Sequence, residues 1–429
     1  MSRSLTTAGA RPAGPALPLA QNISWGILGS FVYAGCQWAM LVVLAKLGTV
    51  EMTGQFALGL AVGAPIFLLT NLSLRSILAT DVRAEHEFGD YLALRLVTVG
   101  LGLAAVVAVI GVAGFRKETA LVCLLVAVTK AIEALGDVLH GLMQRHERMD
   151  LLAGSVVLRG VCALAALAAG LLLTGSLGWA LALVAAAWAL GLAVYDIPRS
   201  GRLLGGAVRP RWHRGHLLRL TSLSLPLGIT AMLISLAVTI PRYFVERYRG
   251  EDELGIFVAM ASLMVIGGTA VNAVGQSVSP RLAGHFAAGE SACARRLLGR
   301  LIGLGLALGG AGVALALVWG EDVLALLYRP EYARHGHVLV WIMAATAASY
   351  AASFLGHAMT AARLLRVQMP LHAAVAAVAL IASAALVPSA GLLGAGQAIL
   401  VTCVAHLLMA GAVMRYARRG RPPVREVAA

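Results

Sequence analysis

Charged residues are scarce in this chain of 429 residues: Asp, Glu, Lys and Arg make up only 13% of it. A soluble domain is usually about a quarter charged, so the composition excludes a soluble globular fold and a disordered chain. Acidic residues are scarcer than basic ones, and the formal net charge is +14. With so little charge overall, this excess does not indicate nucleic-acid binding, and we expect no nucleic-acid partner.

Cysteine is also rare. The five cysteines match neither a CxxC pattern nor the spacing of a zinc site, and four of them fall inside apolar segments. Buried cysteines of this kind usually behave as small apolar residues. We therefore expect no disulfide framework, no metal and no cofactor. The five are Cys36, Cys123, Cys162, Cys293 and Cys403.

Apolar residues, in contrast, make up 59% of the chain, and the mean hydropathy is +0.84. About 20 apolar residues cross a bilayer as a helix, and the alternating ten-residue strands of a membrane barrel are missing. The sequence predicts an all-α polytopic membrane protein of about twelve spans. These are 23–45, 55–73, 92–114, 119–142, 151–173, 177–195, 220–240, 254–278, 301–319, 337–360, 370–388 and 392–413.

The distribution of Lys and Arg predicts the orientation of these spans. With the N-terminus inside, inside segments carry 23 of the 34 cations and outside loops carry 8. Cytoplasmic loops carry an excess of Lys and Arg, so we expect both termini to be cytoplasmic. The same cations would contact anionic lipids.

The chain divides into two similar parts. We predict an N-lobe (residues 1–198, spans 1–6), a basic cytoplasmic linker (199–218), and a C-lobe (219–429, spans 7–12) with a basic C-terminal tail. The lobes resemble each other at an offset of 201. The matching pairs are Gly54 with Gly255, Phe56 with Phe257, Glu51 with Asp252, Asn71 with Asn272 and Arg75 with Gln276; Gly175 also matches Gly391 at an offset of 216. Six spans per lobe imply a parallel repeat around a central cavity.

Polar and ionisable residues cluster on one face of the fourth span. They are Lys130, Glu133, Asp137, His140 and Gln144, and they fall within about 80° of one another on a helix. A lone charge at mid-membrane costs roughly 3 kcal/mol, so these groups either pair within the protein or face a hydrated cavity. Lys130 and Glu133 have the spacing of a helical ion pair. Arg95 or Arg159 is the expected partner of Asp137.

Several segments resemble the polysaccharide transporter family (Wzx-like O-antigen flippases) of the multidrug/oligosaccharidyl-lipid/polysaccharide exporter superfamily. The resemblance is diffuse and extends over most of the chain. It rests on Asn22-Ile23-Ser24-Trp25-Gly26, Gln37, Gly54-Gln55-Phe56-Ala57, Pro65, Asn71-Leu72-Ser73-Leu74-Arg75 and Gly391-Leu392-Leu393-Gly394-Ala395-Gly396-Gln397-Ala398.

The resemblance implies two helical bundles around a central cavity. It also implies transfer of an undecaprenyl-pyrophosphate-linked oligosaccharide between the leaflets of the bacterial inner membrane by alternating access, for O-antigen, capsule or exopolysaccharide synthesis. Its implied partners are the lipid-linked oligosaccharide and the polysaccharide polymerase machinery.

The residues themselves suggest which groups would act. Arginine binds phosphate oxygens through a planar fork and stays charged, so we expect the cavity arginines to hold the head group. The predicted substrate-binding residues are Arg75, Arg95, Arg159, Asn71, Asn272, Gln276, Asn22 and Gln37, with Arg242 and Arg363 as secondary candidates. Glu133, Asp137 and Lys130 are the predicted ion-coupling residues.

Two other functions fit parts of the pattern. A cation-coupled multidrug or metabolite antiporter of the same superfamily would use the acidic residues for its cargo and the arginines for structure. A membrane-embedded polymerase or ligase needs reactive groups on a sizeable outside loop, but the longest such loops, near 242–253 and 320–336, are short. We therefore expect a transporter and not an enzyme.

Overall fold

The chain folds almost entirely into helices in a computed structural model that describes residues 18–81 and 86–419. The first 17 residues and the predicted C-terminal tail beyond residue 419 lie outside the described residues. The helices are α1 (Leu19–Leu47), α2 (Val50–Asn71), α3 (Leu74–Thr80), α4 (Phe88–Ala113), α5 (Lys117–Arg145), α6 (Met149–Thr174), α7 (Leu177–Gly191), α8 (Ile197–Leu204), α9 (Arg214–Ala287), α10 (Ser291–Leu327), α11 (Pro330–Ala333), α12 (Gly336–Ala361) and α13 (Leu365–Arg419).

Ten of the described helical segments are long and apolar enough to cross a membrane. Three of them contain a residue with non-helical backbone angles: α9 with 74 residues at Gly250, α13 with 55 at Gly391, and α10 with 37 at Trp319. At 1.5 Å per residue, α9 would be about 110 Å long, far more than the roughly 30 Å of a bilayer core. It must therefore reverse direction at Gly250. Division at both glycines gives the expected number of spans, although the count of twelve stays a prediction.

Successive spans alternate in direction, which places both ends of the described chain on one side. We call this the terminal side: it holds the start of α1 and the end of α13. The α1–α2 turn, the α4–α5 turn and Gly250 lie on the opposite side. Contacts between distant residues agree with this arrangement, because Arg329 donates a hydrogen bond to the Lys46 carbonyl oxygen at 2.9 Å on the opposite side. Asn22 accepts one from the Met149 amide at 3.1 Å on the terminal side.

The repeat predicted from the sequence has a structural counterpart at its glycines. Gly175, after α6, and Gly391, within α13, both have a positive φ, of 63° and 58°, although their ψ angles differ, at 10° and -131°. Gly54 and Gly255 meet where α2 crosses α9, and each backbone occupies the space that a Cβ on the other helix would need. Equivalent positions of the two lobes thus touch each other, which places both of them close to the axis that relates the lobes.

The predicted linker is helical at both of its ends. A short π-helical segment, Leu192–Asp196, joins α7 to α8, which continues to Leu204, and α9 begins at Arg214. Only residues 205–213 between them are non-helical. One end of this stretch is tied to the N-lobe, because the Arg211 amide donates to the Gly89 carbonyl oxygen at 2.9 Å.

The largest buried apolar cluster extends across both lobes. It joins Phe67 of the N-lobe to Phe257, Tyr328 and Ile342 of the C-lobe. Two further clusters lie within the N-lobe and its linker, and one lies within the C-lobe. The lobes therefore pack on each other where α2 meets α9.

Substitution of Gly54 tests this crossing. A Cβ at residue 54 would overlap the Glu251 carbonyl oxygen, so we expect Gly54→Ala to separate the helices at a cost of about 1–3 kcal/mol. The melting temperature of the detergent-solubilised protein should fall by several degrees. Gly63→Ala on the same helix meets no atom within 4 Å and should leave it unchanged; equal effects of the two changes would contradict the crossing.

Candidate functional site

A cavity of about 440 Å³ lies in the N-lobe, in the half of the bundle nearer the terminal side. Its walls come from α1, α2, α3, α5 and α6, with one residue from α9. It is lined by Ser30, Tyr33, Leu68, Asn71, Ser73, Arg75, Ser76, Glu133, Asp137, His140, Leu152, Val156, Arg159 and Ala231. Ser30 and Ser76 on its rim are exposed. The polar face of α5 therefore meets a cavity and does not face lipid.

The predicted ion pair on α5 reaches the wall through Glu133, whereas Lys130 lines a neighbouring cavity. Lys130 Nζ lies 2.8 Å from Glu133 Oε2, which confirms that pairing. Tyr33 on α1 donates a hydrogen bond to Glu133 Oε1 at 3.1 Å, and Gln37 donates to the Tyr33 hydroxyl at 2.8 Å. These hydrogen bonds hold the carboxylate of Glu133 between the Lys130 ammonium group and the Tyr33 hydroxyl.

Asp137, one helical turn further along α5, lies between two arginines. Its carboxylate is 3.4 Å from Arg75 and 3.7 Å from Arg95. The pairing with Arg95 is one of the two alternatives that the sequence left open, and Arg75 is an additional partner. Arg75 also donates to Gln144 at 3.3 Å, and its side chain is 34% exposed. It is thus partly free to meet a ligand.

Arg95 occupies a different environment from Arg75. Its side chain is fully buried, and it donates to Asn71 at 2.5 Å. Within the described residues it stands behind the cavity wall, where it holds Asn71 and Asp137, both of which line the cavity. A direct contact between Arg95 and a ligand would require this wall to open.

Arg159, on α6, pairs with a carboxylate that sequence reasoning missed. Its guanidinium lies 3.6 Å from Asp196 and 5.4 Å from the centre of the Trp188 ring. His140 also approaches Asp196, at 3.8 Å, and contacts Ser155 at 2.8 Å. Asp196 follows directly after the predicted sixth span, 177–195, where a carboxylate is expected at the membrane surface. The π-helical segment instead carries Asp196 into the bundle. The signal in the sequence for such a partner is that cations outnumber carboxylates within the predicted spans.

The other predicted binding residues are dispersed. Asn22 is buried and caps the start of α6 through the Met149 amide. Gln37 lines a second cavity, of about 320 Å³, that Arg242 and Ser262 of the C-lobe also line. Asn272 and Gln276 are exposed on α9 in the C-lobe. The groups that meet at the cavity are therefore mainly those of α2, α3, α5 and α6.

On the opposite side, an ion-pair cluster joins the two lobes. Arg116, between α4 and α5, pairs with Glu51 of α2 and lies 2.6 Å from Glu251 of α9. Thr119 donates to the same Glu251 at 2.6 Å. Hydrogen bonds to Glu51 and Glu251 raise the pKa of Arg116 above its usual value. The lobes thus close together on this side, while the cavity lies towards the terminal side.

A family model described as "Polysaccharide biosynthesis protein" matches residues 19–285, which is more than half of the chain. The chain belongs to this polysaccharide biosynthesis protein family. A relative from Staphylococcus aureus, the capsular polysaccharide biosynthesis protein CapF, is 26% identical over 90% of this chain and 96% of its own length.

Solved structures of transporters share the fold. The lipid II flippase MurJ in an inward closed conformation has a TM-score of 0.72, with 11% identity, over 92% of this chain and 87% of its own. The MATE transporter VcmN of Vibrio cholerae has a TM-score of 0.63, with 14% identity, over 94% and 97%. Together with the apolar helices, the family membership makes the chain a multi-pass membrane protein, and the predicted family and fold class are confirmed.

The ion-pair cluster on the opposite side provides a test of closure. Glu251→Gln removes a charge that Arg116 shares, and this should weaken the contact between the lobes on this side. The probe is Thr53→Cys in a protein without its five native cysteines. We expect an impermeant maleimide, added from the opposite side, to label this cysteine several-fold faster when Glu251→Gln is also present. Asp252→Asn, at an exposed neighbour, should have no effect; equal labelling with and without Glu251 would refute closure by this cluster.

Proposed function

We propose that this chain moves an undecaprenyl-pyrophosphate-linked oligosaccharide from the cytoplasmic to the periplasmic leaflet of the bacterial inner membrane by alternating access. The observation that carries the proposal is the cavity with Arg75 and Arg159 in its wall, in a member of a polysaccharide biosynthesis family. We infer that the terminal side is cytoplasmic, because the basic segments lie there. The resting cavity would then load from the leaflet in which such substrates are built.

A cationic cavity suits a pyrophosphate head group. The diphosphate cannot enter hydrocarbon without a large desolvation cost, whereas a polyprenyl chain can stay in the bilayer. Arg75 offers a planar donor fork that matches phosphate oxygens. Its ion pair with Asp137 is long, at 3.4 Å, so a phosphate with better geometry could displace the carboxylate. Arg159 would add a second positive charge from the facing wall.

The carboxylates give a means of release. When Asp137 pairs again with Arg75, the phosphate loses its strongest contact, and the same competition permits coupling to a cation or proton. We assign this coupling to Glu133, Asp137 and Lys130, which lie on successive turns of one helix face. Asn71 lines the cavity and is suited to sugar hydroxyls or phosphate oxygens. We assign Asn272 and Gln276 of the C-lobe to contacts made when the lobes close around the substrate.

Arg95 acts indirectly in this scheme. Because it is buried and bonded to Asn71 and approaches Asp137, we assign it the positioning of both residues. Asn22 and Gln37 have similar supporting roles through Met149 and Tyr33. The anionic lipids would contact the basic segments of the terminal side, and polysaccharide polymerase machinery would receive the translocated product.

A cation-coupled multidrug or metabolite antiporter is the second candidate. The observation that favours it is the partly exposed Asp137 beside Glu133 in the N-lobe wall, where a cationic cargo could pair with a carboxylate. In that case loss of the gene would sensitise cells to drugs while surface polysaccharide remained normal.

Replacement of the cavity arginines tests the first candidate. We expect Arg75→Ala or Arg159→Ala to abolish surface-polysaccharide export in a deletion strain at normal protein levels, because a phosphate contact is lost. Arg75→Lys keeps the charge without the fork and should retain partial export. Arg295→Ala, at an exposed position in the C-lobe, is the matched control and should export fully; full export by both cavity variants would refute the assignment.

The role of Asp137 in release makes a separate prediction. Asp137→Asn frees Arg75 for phosphate, so substrate should bind more tightly and leave more slowly. In proteoliposomes with a fluorescent lipid-linked oligosaccharide, the half-saturating concentration and the maximal flipping rate should both fall. Glu118→Gln, at an exposed position in the first turn of α5, should change neither; a higher half-saturating concentration in Asp137→Asn would contradict the competition.

A further inference from the structure

A cluster of two histidines and an aspartate lies on the terminal side, away from the cavity. His86 and Asp90 stand at the start of α4, and His216 stands at the start of α9 in the linker. One nitrogen or carboxylate oxygen from each lies within 4.8 Å of the others. His216 Nδ1 is 3.0 Å from Asp90 Oδ2, although the two residues are 126 positions apart in the sequence. The fold therefore brings metal-ligating groups of the N-lobe and the linker together.

The surrounding structure holds these side chains in place. Asp90 completes a capping box with Glu87 at the start of α4. Asp81 accepts a hydrogen bond from the Tyr91 hydroxyl at 3.2 Å and one from the His86 amide at 3.4 Å. Arg211 of the linker pairs with Glu87. Neighbouring hydrogen bonds and an ion pair thus hold the cluster in place where the linker contacts the N-lobe.

Two polar atoms of the cluster are buried without a hydrogen-bond partner among the described residues. They are His86 Nδ1 and Asp90 Oδ1, and the two residues are only 5% and 1% exposed. Such atoms usually have a partner, and a buried one without a partner costs about 1–3 kcal/mol. A cation in the cluster would accept electron pairs from both residues and remove this cost.

We propose that His86, Asp90 and His216 bind a divalent transition-metal ion, with Zn²⁺ as the best match. Imidazole nitrogens and a carboxylate oxygen are zinc ligands at about 2.0–2.2 Å. In a tetrahedral site of that size the ligand atoms are about 3.4 Å apart, so small side-chain rotations suffice, and water completes the site. His213, whose ring centre is 4.3 Å from that of His216, lies beside it.

The ion would clamp the linker to the N-lobe. Because His216 precedes the first span of the C-lobe and His86 precedes α4, a bond through the metal fixes the hinge between lobes on the terminal side. None of these ligands lines the proposed transport cavity. The inference therefore stands or falls separately from the proposed function.

A second group of possible ligands serves as a comparison. His285, Glu290 and Cys293 also lie within reach of one another, but Glu290 and Cys293 are exposed. His285 already contacts the Glu290 carboxylate at 2.6 Å, and none of the three has a buried atom without a partner. We expect no tight metal binding there.

Zinc titration of the purified full-length protein, after treatment with a chelator, tests the proposal. We expect one zinc per chain by elemental analysis and a higher melting temperature with zinc. His86→Ala and His216→Ala should each weaken zinc binding by about a hundredfold or more and abolish the rise in melting temperature. Asp90→Asn, which keeps a capping side chain, should also weaken binding.

The control variant is His285→Ala, which should keep the wild-type zinc affinity. The melting temperature of each variant without zinc shows whether it is folded, and the readout needs no transport assay. Wild-type affinity in both His86→Ala and His216→Ala would overturn the proposal, as would loss of the bound zinc in His285→Ala alone.

Discussion

The cost of placing charge inside an apolar bundle constrains the rest of this structure. An isolated ion among helices in hydrocarbon is destabilising by several kcal/mol, so each one found there has a partner or meets water. Asp137 lies between Arg75 and Arg95, and Asp196 lies beside Arg159. Arg95 and Asp196, which are buried, support the cavity wall, whereas Arg75 is partly exposed. The same pairing that makes the N-lobe stable therefore leaves a cationic group available to a ligand.

The two lobes have equivalent glycine positions but carry different polar residues. Gly54 and Gly255 occupy equivalent positions and touch each other, and Gly175 and Gly391 both have a positive φ. Yet Arg75 corresponds to Gln276 in the repeat, and the ionised cavity wall belongs almost wholly to the N-lobe. In the transport scheme, the N-lobe supplies the charge that recognises the head group. In the same scheme the C-lobe would be the moving wall; on the opposite side, Glu251 of the C-lobe already pairs with Arg116, which also pairs with Glu51.

The helical class and the repeat were predictable from hydropathy and from matched positions such as the glycines, and the family was predictable from the resemblance of several sequence segments. The Lys130–Glu133 pair followed from spacing on one helix. Partners on different helices were harder, since the sequence does not contain the rotation of each span. The sequence therefore did not show that Arg95 is buried behind the wall. It also did not show that Arg159 pairs with Asp196, which a π-helical segment carries into the bundle. The histidine and aspartate junction was missed for the same reason, because its ligands meet only through the path of the linker.

The transport scheme requires the charged wall to face a water-filled cavity that opens to the terminal side. The most direct test is the reactivity of Val156→Cys, on that wall, in a protein without its five native cysteines. We expect fast reaction with an impermeant maleimide added from the terminal side, slow reaction from the other side, and protection by a lipid-linked pyrophosphate sugar. A cysteine that is unreactive from both sides, or that the substrate leaves unprotected, would contradict it.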